Sequence, residues 1–336
     1  VSDGSSDVCS SDLPELARSA GKTWETHAWL GAGWQLWQHR EEIGAGRDLF
    51  GAGSKGDLTL DAALVQSAKA HVKAFHSGTW DTVVLQLFAP YLTEETDTKW
   101  GRKLSGRKDA GDLGAATDLI RLQLARNPAS RIFIYQVWPM MDAGTVPPPD
   151  QLPAWAKGRS GLRTAEFPLR ERFDYAARWQ QAYDPATSPR DNANKPWRSR
   201  AFSAQVFAGL QERFPALWRE GRLRMIPAGE LFFELDRVLR AGRTPGLASI
   251  GDFYTDVQHI RAGLPRYAVA ALLFACLFET SPAPLDWRLY NDAAKYGPDP
   301  SHDSGELLPL TPARVQLVHS AIETLLASHP HARFRL

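Results

Sequence analysis

The sequence predicts an α/β fold in which helices cover both faces of a mostly parallel sheet. Two observations support this prediction. From Leu13 onward, short β-branched apolar runs alternate with longer amphipathic segments, and strands that alternate with helices are joined as parallel crossovers. The chain has 336 residues, of which 43% are hydrophobic, enough to bury a sizeable core. No internal repeat interrupts the alternation, which predicts a single domain.

The predicted strands differ in strength. Asp81–Phe88 (DTVVLQLF) and Arg131–Val137 (RIFIYQV) are compact runs rich in β-branched and aromatic residues, which is typical of buried strands. Leu223–Ile226 (LRMI) is a weaker third run, and Thr23–Leu30 (TWETHAWL) alternates apolar and polar residues like an edge strand. In an open parallel sheet, the chemistry is expected at the carboxyl ends of these strands.

The helices are predicted from apolar residues that recur at helical spacing. The predicted helices are Leu58–Phe75, Asp112–Ala125, Leu169–Tyr183, Ala201–Arg219, Glu230–Arg240, Pro265–Phe278 and Pro312–Leu326. Two stretches rich in Pro, Gly or polar residues, near 140–167 and 184–196, are predicted as surface insertions because the strand–helix alternation resumes after each of them.

Composition and motifs exclude several functional classes. The 39 Lys and Arg residues nearly balance 38 Asp and Glu, and a net charge of +1 argues against a nucleic-acid partner. The longest apolar run, Tyr267–Phe278, has 12 residues, too few to span a membrane. GAGSKG at Gly51–Gly56 has dinucleotide-loop spacing but follows no strand. No HExxH motif accompanies the nine histidines, so we predict no metal site and no cofactor.

The beginning of the chain has the character of a sequence that is not native. Residues 3–13 read DGSSDVCSSDL, and the last seven of these letters are what GAC-GTG-TGC-TCT-TCC-GAT-CT encodes, which resembles a translated sequencing adaptor. The alternative interpretation is a frayed, disordered terminus. On the first interpretation residues 1–13 are non-native and the domain spans 14–336. Cys9 is then discounted, and Cys276 is left as a buried structural thiol.

One pair of residues has a spacing suited to catalysis. Asp256 and His259 are three residues apart in the segment GDFYTDVQHIRAGLPRY. A carboxylate beside a histidine Nδ1 holds one tautomer and stabilises the imidazolium that forms during acyl transfer. The spacing alone also fits a surface aspartate beside a solvated or helix-capping histidine.

The order of several blocks resembles the SGNH/GDSL-type hydrolases. Tyr254–His259 (YTDVQH), followed by a turn and the small-residue helix of Arg266–Pro282, is similar to the terminal catalytic block of that family. Trp80–Phe88 resembles its third-strand block, and Leu30–His39 (LGAGWQLWQH) resembles its second block. The resemblance covers about Leu13 to Pro284 in loose motifs.

This resemblance implies a fold and a set of site residues. The fold would be a three-layer α/β/α, flavodoxin-like parallel sheet whose first strand is missing or replaced. Gly33 would offer a backbone N–H to an oxyanion, and Gln86 would offer a side-chain amide. The nucleophilic serine of the family follows the first strand, where the adaptor-like segment lies, so we expect the native serine to be lost. Ser5 and Ser6 are only weak candidates to take its place as the nucleophile.

The implied function is ester hydrolysis through a covalent serine ester, with a small-molecule or carbohydrate ester as substrate and deacetylation of a carbohydrate as one form. Trp34 and Trp138 are candidate contacts for a sugar ring. An extracytoplasmic location would suit such an enzyme. The alternative is a noncatalytic flavodoxin-like or degenerate-hydrolase protein that binds carbohydrate. The sequence does not decide the oligomeric state.

Overall fold

The computed structural model describes residues 13–23, 36–44, 79–88, 92, 111–153, 156–184, 198–242, 247–292 and 307–332. The predicted edge strand beyond Thr23 and the predicted helix Leu58–Phe75 lie outside these residues. The described residues form two compact units, each built from separate stretches of chain. Unit 1 draws on Thr26–Val137 and Gln181–Pro227, and unit 2 draws on Gly4–Glu25, Trp138–Gln180 and Ala228–Leu336. The single native domain over 14–336 stays a prediction.

Within the described residues, the sheet of unit 1 has three parallel strands in the order β1-β2-β3. They are β1 (Thr82–Gln86), β2 (Arg131–Gln136) and β3 (Leu223–Pro227). Val84 pairs with Phe133, and Ile134 pairs with Met225. Five successive residues of β2 are buried, and because successive side chains point to opposite faces, both faces of this strand are covered. The predicted α/β class with a parallel sheet between helical layers is confirmed.

Nine α-helices lie within the described residues. In chain order they are α1 (Leu13–Ser19), α2 (Leu36–Gly44), α3 (Asp112–Arg126), α4 (Tyr175–Trp179), α5 (Arg200–Arg213), α6 (Pro215–Arg219), α7 (Ala228–Arg240), α8 (Leu264–Phe278) and α9 (Pro312–Ser328). Short 3₁₀ helices lie at Pro149–Gln151, Thr164–Glu166, Arg170–Arg172, Ile250–Phe253 and Trp287–Asn291.

Two helix predictions are wrong in extent. The segment predicted as one helix over Leu169–Tyr183 forms a 3₁₀ turn and then the short α4, because the Asp174 carboxylate caps the Ala177 N–H and starts a new helix there. The segment predicted as one helix over Ala201–Arg219 breaks at Phe214, because Pro215 has no N–H to continue α5 and instead begins α6.

The core of unit 1 lies between its helices and the sheet. Helices α3 and α5 pack on each other, and their apolar faces join Ile132 and Ile134 of β2 in one buried cluster. The helix residues of this cluster include Leu113, Ala116, Leu119, Ile120, Phe202, Val206, Phe207 and Leu210. This packing holds β1 and β2 in register, which fixes the position of Gln86 at the end of β1.

The core of unit 2 is built around α8. Nearly all of its residues are buried, and it packs against α1 and α9. Cys276 is 0% exposed, as the sequence predicts for a structural cysteine. Among the helices that the structure describes, none combines the length and the hydropathy that a membrane crossing requires.

A buried tyrosine–histidine pair joins α8 to α9. The distance between Tyr267 Oη and His319 Nε2 is 2.6 Å, and the two side chains are buried. Burial lowers the pKa of His319, while the charge of Glu323 opposes that shift. Burial therefore favours the neutral form of His319, and a hydrogen bond joins its Nε2 to the Tyr267 hydroxyl.

The stability of the protein is expected to fall as the pH drops from about 7.5 to about 5. The pKa of His319 is lower in the fold than its ordinary value of 6.5, so the unfolded state takes up a proton first and gains stability relative to the fold. Urea denaturation across this pH range measures the effect. The His319→Gln variant cannot titrate and should lose less stability over the same range; an unchanged pH slope in the variant would contradict the assignment.

Candidate catalytic site

The loop that carries Asp256 and His259 lies in unit 2, between the 3₁₀ turn at Ile250–Phe253 and α8. Its two sides are joined by backbone hydrogen bonds. The Thr255 N–H donates to the His259 carbonyl at 2.8 Å, and the Arg261 N–H donates to the Phe253 carbonyl at 2.7 Å. The loop is therefore a closed, tightly bonded turn that brings residues 256 and 259 together.

The Asp256 carboxylate organises this turn with both of its oxygens. Oδ1 accepts the backbone N–H of Gln258 and that of His259, each at 2.8 Å. Oδ2 lies 2.6 Å from His259 Nδ1. The carboxylate is 14% exposed and the imidazole 15% exposed. One side chain thus fixes the loop backbone and the orientation of the histidine ring at the same time.

The electrostatics of the pair keep Asp256 ionised. Burial alone would raise the pKa of Asp256, but the hydrogen bond and charge of His259, together with the two backbone N–H groups, hold that pKa below its ordinary value. An ionised carboxylate accepts a hydrogen bond from Nδ1–H, so in the neutral imidazole Nδ1 carries the hydrogen and Nε2 presents its lone pair. This is the tautomer that a general base requires.

A side-chain amide lies against the other ring nitrogen. Gln258 Nε2 is 3.0 Å from His259 Nε2. Since Nδ1 bears the proton, Nε2 is an acceptor and the Gln258 amide N–H donates to it. Sequence reasoning did not identify this residue, because a glutamine between the two members of a DxxH motif carries no signal of its own.

Unit 2 supports the loop from the segment that follows Val137. Trp138 Nε1–H donates to the Gln258 carbonyl at 2.8 Å, and the Met141 N–H donates to the Val257 carbonyl at 2.7 Å. The Trp138 ring is 1% exposed and stacks on Phe232 with 5.2 Å between ring centroids. Trp138 therefore positions the loop that carries Asp256 and His259, and its contact with a sugar ring stays a prediction.

A half-buried guanidinium provides further support. Arg170 Nη2–H donates to the carbonyls of Tyr254 and Thr255, at 2.8 Å and 3.2 Å. Its positive charge also interacts with Asp256. Arg170 lies 86 residues before Asp256, in a segment that the sequence predicts as an ordinary amphipathic helix. Sequence reasoning therefore missed its contact with the loop.

An open groove of about 410 Å³ also belongs to unit 2. Its lining residues are Leu247, Ala248, Asp252, Arg261 and Leu308. None of the three side chains that form the Asp256–His259–Gln258 contacts lines it, so we assign it no part in the chemistry of that pair.

The remaining predicted site residues lie in unit 1 or outside the described residues. Gln86 is the last residue of β1 in unit 1, half-buried and opposite Tyr135 in the register. Gly33, Trp34, Ser5 and Ser6 lie outside the described residues. Within the described ranges, no group of three His, Cys, Asp or Glu side chains is arranged as metal ligands.

Comparison with known proteins adds a single structural likeness. No protein-family model matches the chain, and no curated protein matches it. A solved structure of a DUF4886 family protein from Bacteroides uniformis ATCC 8492 is similar, with a TM-score of 0.46 and 12% sequence identity over 96% of this chain and 91% of that one. A likeness at this level carries no argument about this chain.

Proposed function

We propose that this protein hydrolyses esters by the serine mechanism of the SGNH/GDSL-type hydrolases, which its sequence blocks resemble. The observation that carries the proposal is the 2.6 Å contact between Asp256 Oδ2 and His259 Nδ1. This contact supplies the orienting carboxylate and the general base of a catalytic triad, in the correct tautomer.

The proposed reaction proceeds through two proton transfers at one nitrogen. His259 Nε2 takes the proton of the serine hydroxyl while the serine oxygen attacks the ester carbonyl, and the resulting Nε2–H is then given to the leaving alcohol. Water attacks the acyl-serine in the second half, activated by the same nitrogen. Asp256 stays ionised throughout and stabilises the imidazolium. The nucleophile in this proposal is the native serine that the adaptor-like segment displaces, with Ser5 and Ser6 as weak substitutes.

The developing oxyanion requires hydrogen-bond donors. The proposal assigns this role to the Gly33 N–H, the Gln86 amide and the N–H of the serine itself. Each such donor is typically worth about 3 kcal/mol in the transition state. No metal ion or organic cofactor takes part in this chemistry.

The substrate class in this proposal is a small-molecule or carbohydrate ester, and an acetylated sugar is the form that an aromatic contact such as Trp34 favours. An extracytoplasmic location belongs to the same proposal, because polysaccharide esters are encountered there.

The test uses the protein with its native residues restored ahead of Leu13 and measures hydrolysis of p-nitrophenyl acetate. We expect a burst of p-nitrophenol followed by turnover, because this activated ester acylates the serine faster than water hydrolyses the acyl-serine. His259→Ala should lower kcat/KM at least about 10³-fold. His331→Ala, a histidine at the far end of the chain, is the matched control and should leave kcat/KM unchanged. Equal kcat/KM values in the two variants would refute the mechanism, and absence of hydrolysis by the unsubstituted protein would favour a noncatalytic binding protein.

A further inference from the structure

We propose that Gln258 controls access to the base: in the resting site its amide occupies the lone pair of His259 Nε2, and the side chain must move aside before that nitrogen can accept a proton. The observation is the 3.0 Å contact between the two Nε2 atoms. The catalytic meaning of this control rests on the proposed function, whereas the contact and its effect on the reactivity of His259 do not.

The geometry confines any movement of Gln258 to its side chain. Its backbone N–H donates to Asp256 Oδ1 at 2.8 Å, and its carbonyl accepts Trp138 Nε1–H at 2.8 Å. Trp138 is itself held against Phe232. With both backbone groups bonded, rotation about the side-chain torsions is the remaining route by which the amide can leave Nε2.

The Gln258 amide and a nucleophilic hydroxyl cannot both donate a hydrogen bond to His259 Nε2 at the same time. In the Nδ1–H tautomer, Nε2 has one lone pair in the plane of the ring. A hydroxyl that is to lose its proton to Nε2 must donate into that same lone pair at hydrogen-bond distance. The Gln258 amide and the hydroxyl therefore exchange places. The displaced amide N–H then needs an acceptor, and an oxygen of an ester or polyhydroxylated substrate is the group that suits it.

Carbethoxylation by diethyl pyrocarbonate reports on this lone pair without any need for a nucleophilic serine. The Nε2 lone pair forms a bond to a carbonyl carbon of the reagent, and the bond from that carbon to ethyl carbonate breaks. The proton released from Nδ1 passes to the ethyl carbonate, which decomposes to carbon dioxide and ethanol. Mass spectrometry of the peptide that contains His259 gives the rate in the full chain, and the other histidine peptides serve as internal references.

We expect Gln258→Ala to accelerate carbethoxylation of His259 about fivefold, the factor for loss of one hydrogen bond of ordinary net strength. Gln258→Glu should slow it below the unsubstituted rate, because a carboxylate accepts Nε2–H and favours the unreactive imidazolium. Gln205→Ala is the matched control, since the Gln205 amide donates to the Tyr183 carbonyl at 2.7 Å. That control should leave the His259 rate unchanged.

An unchanged His259 rate in Gln258→Ala would overturn the proposal, as would a glutamate variant that reacts as fast as the unsubstituted protein. If the alanine variant does not fold, as shown by acceleration at every histidine, the near-isosteric glutamate variant decides the question. Failure of ester hydrolysis with the fivefold effect intact would refute the proposed function alone. Ester hydrolysis without the fivefold effect would refute the role of Gln258 alone.

Discussion

Asp256→Asn is expected to lower kcat for ester hydrolysis about 10⁴-fold, with KM changed by no more than about twofold. The loss falls on kcat because the carboxylate acts on His259 rather than on the substrate. The measurement is steady-state hydrolysis of p-nitrophenyl acetate, with the variant made in the same protein that tests the proposed function.

The physical reason is the proton on the imidazole. An asparagine at 256 keeps an oxygen that can accept the backbone N–H groups of Gln258 and His259, both of which now bond to Oδ1. In the unsubstituted protein, Oδ2 lies 2.6 Å from Nδ1. In the asparagine variant an NH₂ group takes the place of Oδ2. That group donates to Nδ1 and moves the ring proton to Nε2. A protonated Nε2 cannot accept the serine proton.

A matched control separates this effect from damage to the loop. Asp252 precedes Asp256 by four residues, and its carboxylate accepts the backbone N–H groups of Ala248 and Ser249. Asp252→Asn removes the same charge from the 3₁₀ turn that precedes the loop, but its effect should be on folding stability, with kcat kept within about twofold. Equal losses of kcat in the two variants would show that charge or loop order, and not the imidazole tautomer, limits the rate.

Local sequence signals and tertiary contacts contributed differently to the candidate site. The spacing of Asp256 and His259 predicts that the two side chains can meet, because three residues of tight loop bring them together without help from distant elements. Gln258 contacts the adjacent His259, whereas Arg170 and Trp138 act through contacts between distant stretches of unit 2. No local pattern encodes such contacts, and the catalytic roles of the pair themselves stay predictions.

For the fold as well, local sequence signals predict some elements and fail at others. The runs DTVVLQLF and RIFIYQV predict β1 and β2 to within two residues at each end, since β-branched and aromatic side chains in short buried runs leave few alternatives. The prediction was wrong at Leu169–Tyr183, where apolar spacing persists but the Asp174 cap starts a new helix. Helix α2 was not predicted, although its buried Leu36 and Ile43 lie on one face.

Gly263→Ala is expected to cost about 3 kcal/mol or more of folding stability. Gly263 precedes α8 with φ 84° and ψ −125°, a conformation that only glycine adopts without strain. A Cβ at this position would also lie 2.1 Å from the Leu308 carbonyl oxygen. That carbonyl accepts the Leu264 N–H at 2.8 Å, and the Leu308 N–H donates to Ala262 at 3.0 Å, so relieving the clash breaks both bonds.

Gly242→Ala tests whether the clash or the backbone conformation dominates. Gly242 also has a positive φ, 70°, but a Cβ there would have no atom within 4 Å. It should therefore lose only the conformational term of about 1 kcal/mol. Urea denaturation of the two variants gives the comparison directly.

Because α8 begins immediately after Gly263, and the loop of Asp256 and His259 lies immediately before it, Gly263→Ala should also disorder the histidine and accelerate its reaction with diethyl pyrocarbonate. Equal stability losses in the two variants would mean that Leu308 yields to the added methyl group and does not fix the start of α8.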